Sequence, residues 1–162
     1  MPSYVPAPLE PQEFPKSELR AVLESMRLVM NSWAYLAPFD IGFPAEGPTF
    51  LDLEKSVHFT GRARGILNVR TTPELGALLA EYTQGEPGTP EQADDAFREF
   101  VNIYCGHLMT FLWGQENASF DPYLPVDSSP KDWPSASPSA ACCFLVGDSP
   151  VEVRLWVERE VF

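Results

Sequence analysis

Positive charge is scarce in this sequence: 11 Lys and Arg stand against 23 Asp and Glu, a net charge of −12 and a pI near 4.4. Such a surface repels phosphate backbones and anionic lipid, so neither nucleic acid nor a membrane is expected as a partner. Cysteine is equally sparse. Cys105, Cys142 and Cys143 are odd in number, and the adjacent pair lies in a strand-like run whose neighbouring side chains face opposite ways, so no disulfide framework is expected. With His58 and His107 as the only histidines and no two-residue-gapped cysteine pair, no metal site of the protein's own is expected either. Long apolar runs of the ~20 residues a membrane span needs are absent. The opening MPSYVPAPLEPQEF has neither the basic nor the apolar region of a secretory signal, which leads us to expect a cytoplasmic protein. Glycine-rich phosphate loops, Gly-x-Ser-x-Gly elbows and His-Glu-x-x-His pairs are missing too, which removes the commonest enzyme signatures.

What remains is an ordinary globular composition, 44% hydrophobic and 21% charged over 162 residues, enough for one buried core. The 17 prolines must gather in termini and loops, because proline lacks the N–H that helices and inner strands use. Five of them fall in residues 1–15, which reads as an extended arm, with a single domain over residues 16–162.

Within that domain, apolar residues from Leu19 to Leu36 recur at three- and four-residue steps behind Ser17 as N-cap, an amphipathic helix that stops before Pro38. A Gly/Pro-rich connector (Ile41 to Pro48) follows. Alternation around Val57 and Phe59, then Ile66 to Val69, predicts a strand pair. Thr72-Pro73 starts a short helix with Leu75, Leu78, Leu79 and Tyr82 inward and Gly85 at its end. Thr89, Pro90 and Gln92 form a capping box for a long helix reaching toward Gly114, its core face drawn through Ala93, Ala96, Phe97, Phe100, Val101, Tyr104, Leu108 and Phe111. Residues 114–139 read as a polar connection, and Ala141 to Val146 and Val151 to Val157 as a closing strand pair, in which Val151, Val153, Leu155 and Val157 alternate with Glu152, Arg154, Trp156 and Glu158. The predicted class is α+β: helices layered on a mostly antiparallel sheet, with a loose α-β-β internal repeat.

Opposite the core face of the long helix stand Asp95, Glu99, Asn102 and Gly106, spaced i, i+4, i+7 and i+11. They lie within about 60° of one another and form a single stripe. An ordinary solvated face would suit this position, but asparagine and glycine are poor mid-helix residues, glycine costing ~1 kcal/mol against alanine. A glycine there removes bulk beside the carboxylate and the amide, with Ile103 and Met109 expected as apolar flanks. Such a pair holds no nucleophile. It can grip a cation with one group and orient a water with the other. His58, His107 and Cys105 read as structural residues.

These residues resemble the CheC/CheX/FliY family of chemotaxis phosphatases, which dephosphorylate the response regulator CheY. The family signature is Asp or Ser, three residues, Glu, two residues, Asn, twenty-two residues and Pro, and Asp95, Glu99, Asn102 and Pro125 fill every fixed position. Glu99-Phe-Val-Asn102-Ile-Tyr-Cys-Gly106 is similar to the family helix, and Phe59-Thr-Gly61-Arg-Ala-Arg-Gly65 to its Phe-Ser-Gly-x-x-x-Gly hairpin. Two-site members repeat Glu-x-x-Asn in the first helix, whereas here Leu28 precedes Asn31, which matches the single-site, CheX-like branch. The resemblance implies a phosphatase acting on a phosphorylated CheY-type receiver, with Glu99 and Asn102 catalytic and Asp95, Gly106 and Pro125 supporting. It implies Mg²⁺ in the receiver and no cofactor of the protein's own. A homodimer is compatible with it, and the alternative function is a non-catalytic receiver-binding or flagellar-switch-like adaptor.

Overall fold

Four long alternating segments build one antiparallel sheet, described by a computed structural model over residues 16–34, 39–42, 51–60, 63–86, 88–113, 121–122 and 124–159. In chain order the elements are α1 (Lys16–Val29), which runs into a π-helical turn (Met30–Ala34), then β1 (Phe39–Gly42), β2 (Leu53–Thr60), β3 (Ala63–Thr71), α2 (Pro73–Gln84) and α3 (Pro90–Trp113). After these come β4 (Asp121–Pro122), β5 (Val126–Asp127), a 3-10 turn (Pro130–Asp132), β6 (Ala140–Val146) and β7 (Ser149–Arg159). The seven-stranded sheet has the order β1-β6-β7-β3-β2-β4, and β5 also pairs with β2. The two predicted hairpins, β2–β3 and β6–β7, therefore meet at its centre through β3 and β7, and the α+β class stands.

All three helices cover one face. Val22 and Met26 from α1, Leu75 and Leu79 from α2, and Phe97, Phe100, Tyr104 and Leu108 from α3 share one core with Val57, Leu67, Val69, Cys142, Phe144, Val153 and Leu155 of the strands. On α3 the rings of Phe97, Phe100 and Tyr104 stack in sequence at centroid distances of 6.2 and 6.0 Å. The Tyr104 hydroxyl donates to the Val22 carbonyl at 3.0 Å, tying α3 to α1. Burial pushes the phenol well above its ordinary pKa, so it stays a neutral donor. Cys105 is buried alongside, its thiol raised to about 12 by the same desolvation, which makes it chemically inert.

The helix starts follow their local chemistry. Thr72 caps α2 by accepting from the Leu75 N–H, and Gly85 ends it in the left-handed region at φ 86°. Thr89 and Gln92 exchange the two hydrogen bonds of a capping box at 3.2 and 2.8 Å. Gly65 has a packing reason: an added Cβ would stand 2.1 Å from the Trp156 carbonyl and 2.5 Å from the Phe59 ring.

Several expectations need correction. Helix α1 begins at Lys16, so Ser17 lies inside its first turn, and the end drawn at Leu36 falls outside the described residues, as do the arm at 1–15 and Gly114. Tyr82 is exposed, and Gly76 and Ala80 take the inward places on α2. Phe111 is half exposed, while Met109 is buried and the Trp113 ring sits 6.0 Å from Phe59. A wheel drawn at a constant 100° accumulates error along a 24-residue helix, and the last turn inherits it. The start of the Ile41 to Pro48 connector belongs to β1, a strand too short to show alternation, and the connection at 114–139 holds β4, β5 and the 3-10 turn.

The other face of the sheet is different. Of the polar and aromatic residues alternating along β7, Glu158 is exposed, but Glu152, Arg154 and Trp156 are buried with Glu54, Ser56, Asn68 and Arg70. A strap over residues 128–139 covers them. Trp133 is its plug: the indole N–H donates to Glu54 at 3.0 Å, and the guanidiniums of Arg154 and Arg70 lie 4.1 and 5.4 Å from the ring centroid. Beneath it Arg154 pairs with Glu152 at 2.9 Å, Arg70 lies 3.5 Å from both Glu54 and Glu152, and Asn68 donates to Glu54 and Ser56. Buried charges of this kind persist only when paired and shielded together. Trp133→Ala is expected to cost about 3 kcal/mol, the low end for truncating a packed aromatic ring, while leaving the surface of α3 unchanged. Urea denaturation of the two proteins checks it.

Candidate functional site

Burial of one side of α3 exposes the other. Ala93, Phe97, Phe100, Val101, Tyr104 and Leu108 face the core, so Asp95, Glu99 and Gly106 emerge exposed and Asn102 half-buried on the outer stripe. Glu99 and Asn102 are one turn apart, where side chains i and i+3 stand roughly 5–6 Å apart at Cβ. Neither side chain has a hydrogen-bond or ion-pair partner among the described residues. Ile103 is half-buried against the core, and Met109, expected as an apolar flank, is buried and adds nothing to the stripe.

Asp95 stands at the N-terminal end of the stripe, its carboxylate 3.7 Å from Arg98. Arg98 also donates to Asp94 at 3.3 Å, and Asp94 accepts from Lys55 at 2.7 Å. Lys55 holds Asp127 as well. The chain of charges Asp95, Arg98, Asp94, Lys55 and Asp127 thus connects the helix to the segment that carries Pro125. Pro125 is buried between β4 and β5, two residues from Asp127. Asp127 is held below the usual carboxylate range, first by the hydrogen bond from Lys55 and then by its charge.

Lys55, Asp94, Arg98 and Asp127 were not singled out in the sequence, although one signal was present. Lys55 shares inward parity with Val57 and Phe59 on β2, where an unpaired charge could not be buried. His58 is exposed on β2 and His107 half-buried on α3. Among those residues no group of three or more His, Cys, Asp or Glu is arranged to hold a metal ion.

Chemically, the stripe offers a free carboxylate that can accept from a cation and a free amide that can donate and accept at once. Gly106 leaves the surface beside them open: an added Cβ would meet nothing within 4 Å. Among the described residues nothing requires a glycine there, in contrast to Gly65. Gly106→Ala is therefore expected to stabilise the fold by roughly 0.5–1 kcal/mol, the intrinsic helix preference, measured as a higher urea midpoint with unchanged slope.

No family model matches the chain, and no curated protein matches it in sequence. Solved structures do match its fold. A chemotaxis protein CheX from Desulfovibrio desulfuricans aligns with a TM-score of 0.69 at 19% identity, covering 87% of this chain and 99% of that one. CheX in a CheX–CheY–BeF3–Mg complex from Borrelia burgdorferi aligns with a TM-score of 0.67 at 17% identity over 88% of this chain and 98% of that one. A CheC-like superfamily protein from a Shewanella species gives 0.62 at 18% identity over 88% and 99%. The chain has the CheX/CheC-like fold, as the motif resemblance implied. Among the described residues no helix is long and apolar enough to cross a membrane.

Proposed function

We propose that this protein is a phosphatase that accelerates loss of the aspartyl phosphate from a CheY-type receiver in cytoplasmic chemotaxis signalling. The observation that carries the reading is the Glu99 and Asn102 pair, unpartnered among the described residues, on the outer stripe of α3 in a CheX/CheC-like fold. One CheX structure of that fold is solved together with CheY, BeF3 and Mg, which supports a receiver as the partner.

An aspartyl phosphate on a receiver already has that protein's own Mg²⁺ to neutralise charge on the phosphoryl oxygens. The phosphatase need only fix a water in line with phosphorus. Asn102 inserts its amide beside the phosphoryl group, its carbonyl oxygen accepting from the water and its N–H donating to a phosphoryl oxygen. Water attacks phosphorus, the P–O bond to the receiver aspartate breaks, and inorganic phosphate leaves. No residue of this chain becomes covalently modified. Glu99 accepts from the receiver's lysine in a charge-assisted bond that sets the docking angle. Asp95 borders the docking surface, buried Pro125 shapes the segment beside it, and Gly106 lets the receiver approach the helix backbone. The first helix presents Leu28 and Asn31 where a second Glu-x-x-Asn would stand, so one site operates per chain.

Phosphate release from a phosphorylated receiver with Mg²⁺ tests the reading. Asn102→Ala is expected to lower kcat on the order of 10²-fold, the usual cost of a lost positioning group. Glu99→Ala is expected to raise KM about tenfold, the worth of one charge-assisted hydrogen bond. Gly106→Ala should weaken docking while stabilising the fold, a combination that bulk at a contact surface produces and damage to the core does not. Undiminished release with Asn102→Ala sinks the proposal; tight receiver binding with an unaltered phosphate lifetime would instead mark an adaptor.

A further inference from the structure

Lys55 is a lysine in the wrong place for solvent. Its side chain is 1% exposed between the sheet and α3, and it meets Asp94 of α3 and Asp127 of β5, whose side chains are 33% and 82% exposed. A buried ammonium needs both carboxylates, because either alone leaves part of its desolvation uncompensated. Among the described residues, the backbone ladder of the segment it grips is short. Strands β4 and β5 contribute two residues each to the edge of β2, through Phe59 with Pro122, Thr60 with Asp121, Lys55 with Asp127 and Ser56 with Val126. Pro122 and Pro125 have no N–H to donate to that ladder. One further backbone bond, Ser128 N–H to the Glu54 carbonyl at 3.4 Å, is long.

From these observations we infer that Lys55 is a positioning residue: it holds the Pro125 segment against α3 and so builds one wall of the docking surface beside Asp95 and Glu99. The coupling runs from Asp127 through Lys55 to Asp94, and from Asp94 through Arg98 to Asp95 at the start of the stripe. Lys55 touches no reacting atom. It acts by keeping two sequence-distant pieces, residues 94–102 and 125–127, in one arrangement before a partner arrives. The inference rests on the receiver-phosphatase reading for its kinetic consequence and on this protein's own geometry for the tether.

Two variants of the full chain test it. Lys55→Met keeps length and apolar bulk while removing the charge, and its two former partners can turn to water. Asp127→Asn weakens one arm of the tether from an exposed position and spares the core, so it serves even where Lys55→Met folds poorly. Hydrogen exchange on the free protein is expected to speed up about tenfold at the amides of 126–128 in both variants, the factor for one lost charge-assisted bond, with β3 and β7 protection retained. In the receiver assay KM is expected to rise several-fold while kcat stays within about twofold, opposite to the pattern of Asn102→Ala. Unchanged exchange at 126–128 in both variants overturns the tether, as does a fall in kcat at constant KM. Faster exchange in a protein that never releases receiver phosphate leaves the tether standing and removes the phosphatase reading instead.

Discussion

The packing of α3 on the sheet is the constraint from which the rest follows. Phe97, Phe100, Tyr104 and Leu108 can be buried only if the helix takes one rotational phase, and that phase delivers Asp95, Glu99, Asn102 and Gly106 to the outside as a set. The Tyr104 bond to the Val22 carbonyl locks the phase from α1's side, and the shared core with Leu75 and Leu79 locks it from α2's. On the proposed reading such rigidity matters, because an amide that orients water would lose much of its effect on displacement by about 1 Å.

Among the described residues, charge enters the interior on both faces of β2. On the helix side Lys55 lies between Asp94 and Asp127; on the other side Arg70 and Arg154 lie among Glu54 and Glu152 under Trp133. The first group joins β2 to α3 and β5, and the second is built from β2, β3 and β7 beneath the strap at 128–139. The strap turns a half-solvated antiparallel sheet into one buried on both sides, and only a paired set of charges can occupy such a place.

Two glycines illustrate how structure separates internal from external demands. Gly65 lies under the Phe59 ring and against the Trp156 carbonyl, so the fold itself excludes a side chain there. Gly106 has no described atom within 4 Å of an added Cβ, so among the described residues its helix penalty meets no internal demand. The same sorting applies to polar groups: Asn68 finds Glu54 and Ser56, while Glu99 and Asn102 find no partner among the described residues.

Much of the fold was legible in the chain alone. Capping residues Thr72 and Thr89, the period of α3 and the alternation of β2, β3, β6 and β7 are local signals, and local hydrogen bonding and burial respond to them directly. The stripe was legible for the same reason, since four positions on one helix keep their relative angles wherever the helix packs. Less was visible of β1, β4 and β5, which are too short for a period, and of Phe111, where small deviations in helical twist accumulate. Local order determined which residues could stand side by side on one helix. Only the tertiary structure decided that Lys55 would meet Asp94 and Asp127, 39 and 72 residues away, and that Trp133 would seal Glu54, Arg70 and Arg154 from water. Those contacts join segments whose sequences carry no sign of one another, and their strength comes from a low-dielectric interior that exists only once the chain has closed around it.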